Sequence, residues 1–312
     1  MRKHRRLVLG ATLLALALTA AACGSGGDDS GNDGDGGDTA PKGDITVGVS
    51  GAFAESQLVA EMYAQVLEDA GWTVTRELDI ESRDVGNAAL ESGEIDLKPE
   101  YLGYELPTLD PDADTSGTPE EVAPRLQEAA QANGLTTYAF SPANSTNVFV
   151  VTQDTADEYS LTDMSSLAGP AGDLTLGAPP DCPKRDFCEP GLKKVYGIEF
   201  AEVRPLDFGG PKTVAALKSG AVQVGLLFSL ASSIEDNGFV PLEDDENLQV
   251  AGNFVPLVRE DVASAELGTL LDSVTTTLTD ENMREMVARV ELDKEDVEDV
   301  STDYLQQEGL LG

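Results

Sequence analysis

Two stretches of this chain say the same thing twice. Ala89-Leu90-Glu91-Ser92-Gly93-Glu94-Ile95-Asp96-Leu97 and Ala216-Leu217-Lys218-Ser219-Gly220-Ala221-Val222-Gln223-Val224 each read as the end of a helix, a glycine that stops it, and a buried strand. Six residues beyond Ile95 and Val222, the same offset brings an aromatic side chain, Tyr101 in the first copy and Phe228 in the second. A repeated helix-to-strand joint of this kind predicts two similar α/β lobes. In open α/β sheets ligands sit beyond the carboxyl ends of the strands. Both aromatics are therefore expected at a shared cleft, against the alternative that each is an ordinary core residue.

The remaining pattern agrees. Ile45 to Val49 reads as a buried strand, and Glu55 to Ala70 as a helix with Leu58, Val59, Met62, Tyr63, Val66 and Leu67 at helical spacing. Trp72 to Leu78 alternates like a strand, Asp84 to Ser92 is helical, and Ile95 to Leu97 is a strand again. Alternation of this sort implies an α/β fold with helices covering a mainly parallel sheet. The acidic run Asp110, Asp112, Asp114 to Glu121 has some calcium-loop spacing, but Thr115 occupies the position where the sharp turn needs glycine. Thr118-Pro119-Glu120-Glu121 reads instead as a helix cap with proline at the first helical position and a capping-box glutamate, opening a helix to Asn133.

The chain begins with cations, Arg2, Lys3, Arg5 and Arg6, followed by an apolar run from Leu7 to Leu18 and small residues ending on Cys23. That run falls short of the roughly 20 apolar residues a spanning helix needs, so residues 1–22 read as a cleaved export signal. Cys23 is the expected site of a diacylglycerol anchor, and residues 23–43, rich in glycine and aspartate, read as a tether. The expected station is the outer face of a bacterial cell membrane, with simple secretion as the alternative.

Charge and histidine content exclude whole classes of function. With 57 acidic and 20 basic residues the net charge is −37, and loss of the leader's four cations takes it to −41. Nucleic acid is excluded, because phosphate binding needs a basic face. The one histidine, His4, lies in the leader, which removes histidine-based catalysis and histidine-ligated metal from the mature chain. Glu55, Glu100, Asp207 and Glu243 are the acids an enzyme could use, yet none sits in a catalytic motif. Cys182 and Cys188, in DCPKRDFC, are expected to be oxidised outside the cytoplasm into a small disulfide loop. Two sulfurs without partner ligands make a poor metal site.

Several segments in order, VGVSGAFAESQLVAEMYAQVLEDAG, ALESGEIDLKPEYLGY, GPKTVAALKSGAVQVGLLFS, PLEDDENL and NFVPLVRED, resemble the substrate-binding proteins of osmoprotectant ABC importers, the glycine betaine, choline and carnitine group. The resemblance spans nearly all of Ile45 to Leu311. It implies a two-lobed periplasmic-binding-protein-like fold (type II-like) with two crossovers, near Ser141 to Asn144 and Asn253 to Pro256. One lobe would comprise residues 44–143 plus 255–312 and the other 144–254. It further implies a monomer that captures a small solute by lobe closure and passes it to a membrane permease, with no cofactor and no bond chemistry. A sensor lipoprotein that presents solute to a receptor, or a binder of another polar solute, would share the same architecture.

In that family a quaternary ammonium sits among aromatic rings, its best partners because it makes no ordinary hydrogen bonds. The resemblance places Phe53, Tyr101 and Phe228 in the cage, and Asn147, Ser229 and Asn253 are expected to supply polar contacts. Asn147 stands where several relatives have a cage tyrosine, and Gly252 where another aromatic is common. Tyr104, at a position often threonine, would stand in for one lost ring, giving a thinner and more polar cage than the family norm.

Overall fold

The structure, a computed structural model, describes residues 42–312. The expected leader, Cys23 and most of the tether lie outside the described residues. Ten strands form two five-stranded sheets. The first holds β1 (Asp44–Ser50), β2 (Thr73–Ile80), β3 (Leu97–Tyr101), β4 (Leu135–Thr137) and β10 (Phe254–Arg259). The second holds β5 (Asn147–Val151), β6 (Thr175–Ala178), β7 (Glu202–Pro205), β8 (Val224–Phe228) and β9 (Val240–Pro241). Their orders, β2-β1-β3-β10-β4 and β7-β6-β8-β5-β9, are the same arrangement. Three parallel strands are followed in each by an antiparallel one, β10 against β3 and β5 against β8. The sheets define two lobes, each with its own apolar core.

In the first lobe, α1 (Ala54–Asp69) buries Leu58, Val59, Met62, Tyr63 and Leu67 completely. It is enclosed by the sheet and by the C-terminal helices α9 (Ala265–Thr275), α10 (Asp280–Ala288) and α11 (Val297–Gln307). Helix α2 (Arg83–Ser92) is capped by Ser82 and stopped by Gly93 at φ +78°. Helix α3 (Leu102–Leu109) follows β3 without a loop. Helix α4 (Pro119–Ala132) opens on the expected capping box of Thr118 and Glu121. The second lobe carries α5 (Gln153–Tyr159), a single turn α6 (Glu189–Gly191), α7 (Pro211–Lys218) and a short α8 (Ser233–Asp236).

The repeated joint is reproduced bond for bond. Glu94 N and Ile95 N donate to Ala89 O, just as Ala221 N and Val222 N donate to Ala216 O. Asp96 Oδ2 accepts from Thr46 N (2.8 Å) and Gln223 Oε1 from Thr175 N (3.0 Å). The ladders therefore start at Leu97 and Val224, two residues later than the apolar pattern predicts. Ile95 and Val222 are buried, but their N–H groups are still committed to closing the helix.

The chain passes between lobes twice, between β4 and β5 and again between β9 and β10. The two crossing segments bind each other. Asn144 bridges to Asn253, Ser141 N donates to Phe254 O (2.8 Å), Ser145 N to Gly252 O (2.9 Å), and Gly252 N to Asn144 Oδ1 (2.8 Å). A Cβ on Gly252 would lie 2.0 Å from Ser145 O. This close backbone approach is why the residue here is glycine and not an aromatic.

Candidate functional site

Every parallel strand delivers its carboxyl end to one cleft between the lobes, of about 1210 Å³ including its open mouth. Phe53 follows β1, Arg83 follows β2 and Tyr101 ends β3; Cys182 follows β6, Phe208 follows β7 and Phe228 ends β8. This is the location that open α/β sheets favour for ligands. Of the residues predicted to touch ligand, Phe53, Tyr101, Tyr104, Asn147 and Phe228 line the cleft.

Two do not. Ser229 Oγ donates to Asn144 O (3.0 Å) and accepts from Thr146 N (3.1 Å), tying β8 to the first crossover. Asn253 Nδ2 donates to Ser141 O (2.9 Å), while its buried Oδ1 finds no hydrogen-bond partner among the described residues. Both residues hold the crossing strands and stand outside the ring cluster. The register explains this: past Phe228 the chain turns into the hinge, and Asn253 precedes β10 in the same bundle of backbone bonds.

The cage is fuller than the sequence implies, since Phe187 and Phe208 bring it to six rings. Phe53 meets Phe228 edge to face at 4.9 Å and Phe208 at 5.6 Å. Tyr104 meets Phe187 at 4.9 Å and Tyr101 at 6.3 Å. Edge-to-face contact suits the ring quadrupoles and leaves ring surface for a ligand. Phe208 was legible after all: the shift that carries Tyr101 onto Phe228 carries Glu81 onto Phe208, and both line the cleft. Phe187 is held inside the Cys182–Cys188 disulfide loop, whose two sulfur-bearing residues also line the wall.

Polar contacts join the lobes behind the rings. Tyr104 Oη donates to Gln249 Oε1 (3.2 Å) and accepts from Asn147 N (3.1 Å). Asn147 Nδ2 donates to the same Gln249 oxygen (2.9 Å), and Gln249 Nε2 donates to Phe187 O (3.0 Å). Tyr101 Oη is hydrogen bonded to Ser56 Oγ (2.7 Å) and donates to Glu55 Oε1 (3.4 Å), which also accepts from Ser145 Oγ (3.1 Å). Burial pushes the Glu55 carboxyl up, with a smaller push from Glu291.

Beside the rings lies a buried charge cluster that sequence reasoning did not find. Arg83 Nε donates to Glu100 Oε2 (3.0 Å) and lies 3.2 Å from Glu105 Oε2. Lys98 Nζ donates to Glu100 Oε1 (2.8 Å) and to Asn87 Oδ1, and Asn87 Nδ2 donates to Glu105 Oε1 (2.7 Å). Glu100 is held below the ordinary carboxylate range, its burial outweighed by the Arg83 and Lys98 charges. Glu105 is pushed up to about 7 by burial and by the neighbouring Glu100 charge. Of the acids weighed as catalytic groups, Asp207 accepts from Lys212 N and Thr213 N at the start of α7, and Glu243 pairs with Asp163 through a backbone β-bridge.

Residues 43–307 match the family described as the substrate binding domain of ABC-type glycine betaine transport systems, and the chain belongs to it. It is 25% identical over 267 residues to the glycine betaine-binding protein YehZ of Escherichia coli, covering 82% of this chain and 88% of that protein. It is 26% identical over 266 residues to the carnitine transport binding protein OpuCC of Listeria monocytogenes, covering 82% and 84%. A crystal structure described as a glycine betaine/carnitine/choline ABC transporter shares the fold, with a TM-score of 0.69 at 21% identity over 86% of this chain and 98% of that one. The family's members are extracytoplasmic solute-binding partners of ABC permeases, and this chain is a binding protein and not an enzyme.

Proposed function

We propose that this protein captures a small quaternary-ammonium solute of the glycine betaine, choline or carnitine type between its lobes and delivers it to the permease. The observation that carries this reading is the convergence of six aromatic rings from both lobes on one cleft. A methylated ammonium has no N–H to donate, so ring faces worth about 0.5 to 2 kcal/mol each are its strongest partners. Because Phe53, Tyr101 and Tyr104 belong to one lobe and Phe187, Phe208 and Phe228 to the other, a cation touching both sets favours the closed arrangement over the open one. The ligand set on this reading is Phe53, Tyr101, Tyr104, Asn147 and Phe228, joined by Phe187 and Phe208.

The lobes are assigned as residues 44–143 plus 255–312 and 144–254. We assign the mature N-terminus to Cys23, lipidated at the outer face of the membrane, and the working unit to a monomer. Titration calorimetry with glycine betaine, proline betaine, carnitine and choline tests the solute assignment. Micromolar or tighter binding of at least one is expected, and silence toward all of them alongside tight binding of an unrelated solute would overturn it. Intact mass of membrane-derived protein tests the anchor, and an unmodified Cys23 or an intact leader would refute it.

A further inference from the structure

We propose that Gln249 is a positioning residue for the cage: standing behind the rings, it fixes Phe187 in the second lobe and receives the Tyr104 hydroxyl from the first, so that closure is strengthened by bonds that never touch the solute. This deepens the reading above and rests on it.

The amide meets three groups at once. Gln249 Oε1 accepts from Asn147 Nδ2 (2.9 Å) and from Tyr104 Oη (3.2 Å), while Gln249 Nε2 donates to Phe187 O (3.0 Å). Only this orientation serves all three: turned over, its NH2 would face the Asn147 amide hydrogens and its oxygen the Phe187 carbonyl. The backbone beneath is pinned as well. Gln249 N donates to Asp244 Oδ2 (2.7 Å), and Leu248 N (2.9 Å) and Tyr196 Oη donate to Asp244 Oδ1. Asn147, Phe187 and Tyr104 line the cleft, whereas Gln249 does not.

The bonds divide by lobe. Asn147, Phe187 and Gln249 belong to the second lobe as assigned above, so their mutual bonds persist whatever the lobes do. Tyr104, on α3, belongs to the first. Its hydroxyl donates to Gln249 Oε1 and accepts from Asn147 N (3.1 Å), meeting an acceptor and a donor that the second lobe holds ready. Bonds made in one lobe arrangement and lost in the other favour the first by the same amount for every solute. The same amide holds the carbonyl of Phe187, whose ring meets Tyr104 edge to face at 4.9 Å. The competing view makes the Tyr104 hydroxyl a solute contact, yet its one hydrogen is already given to Gln249.

Calorimetry with glycine betaine and choline on wild type, Tyr104→Phe, Gln249→Leu and the double variant decides the matter, with thermal melts to check folding. Tyr104→Phe keeps the ring and loses both bonds, so both solutes should weaken by one common factor of about 5- to 20-fold. Gln249→Leu should weaken both at least as much, again leaving their ratio unchanged. On the Gln249→Leu background, Tyr104→Phe should cost clearly less than it does alone, because the two share a bond. Gln249→Glu keeps the acceptor for Tyr104 and loses the donor to Phe187; it should fall between wild type and Gln249→Leu, and it serves if the leucine variant does not fold. A loss confined to one solute in Tyr104→Phe overturns the proposal while sparing the function, as do fully additive losses in the double variant or Gln249 variants that melt early yet bind like wild type. Wild type that binds neither solute nor any other betaine overturns both.

Discussion

The segments β2-α2-β3 and β7-α7-β8 are built on one plan and filled with opposite materials. Their joints share the same backbone bonds, the same left-handed glycine and the same side-chain acceptor on the neighbouring strand. Yet β3 reads Leu-Lys-Pro-Glu-Tyr and β8 reads Val-Gly-Leu-Leu-Phe. Where the first buries Lys98 and Glu100, the second has Gly225 and Leu227; where the first has Arg83, the second has Gly210. The second copy demonstrates that the architecture needs no buried charge. A buried ion cluster is a poor route to stability, because desolvation consumes most of the Coulomb gain. Its presence on one side of the cleft alone is the largest difference between the two copies.

The sharpest way to break this comparison is to unbalance the charged copy. Glu100→Ala strands Lys98 and Arg83 and should cost about 3–5 kcal/mol in chemical denaturation. Replacing Lys98 and Glu100 together by leucine, in imitation of β8, should cost far less or even stabilise. A double variant as unstable as the single one would show that the cluster holds the lobe together.

The rings offer a second contrast. Tyr101 is 9% exposed, stacks on Phe254 at 5.0 Å and bonds Ser56, so it is core and wall at once. Tyr101→Ala should cost about 3–5 kcal/mol of stability. Phe228, half-buried at the mouth of β8, should lose about 1–2 kcal/mol of ligand affinity on truncation, roughly tenfold, with little change in melting temperature. Equal effects of the two truncations on melting and binding would erase the distinction.

Titration separates the copies more gently. Between the ordinary glutamate value near 4.5 and about 7, folded Glu105 keeps a proton that the unfolded chain has released. Stability then falls as pH rises through that window. Glu100, held low, acts in the other direction, and its contribution is lost as pH drops below the ordinary carboxylate range. Glu105→Gln should flatten the upper arm of a melting-temperature profile, by a few degrees at most for a chain of this size. The smallest expected effect is Gln223→Ala, which removes the acceptor for Thr175 N and should cost about 0.5–1.5 kcal/mol in denaturant unfolding.

Local pattern reached the lobes, the repeated joint and the rings at the ends of β3 and β8, because helix period, glycine stops and strand burial are all written within a dozen residues. It missed Phe187, whose position depends on a loop closed by a disulfide, and the Arg83 cluster, whose members come from α2, β3 and α3 and meet only when those elements pack. It also gave no sign that Ser229 and Asn253, expected at polar contacts with ligand, bond the first crossing segment. Their partners, Asn144 and Ser141, lie more than eighty residues away in sequence, on the other crossing strand.

The Cys182–Cys188 loop gives the cage a history. One of its six rings, Phe187, is held in a turn tied by a bond that forms where thiols are oxidised, and newly made chain in a reducing cytoplasm lacks that tie. The wall opposite Tyr104 thus reaches its final form after export.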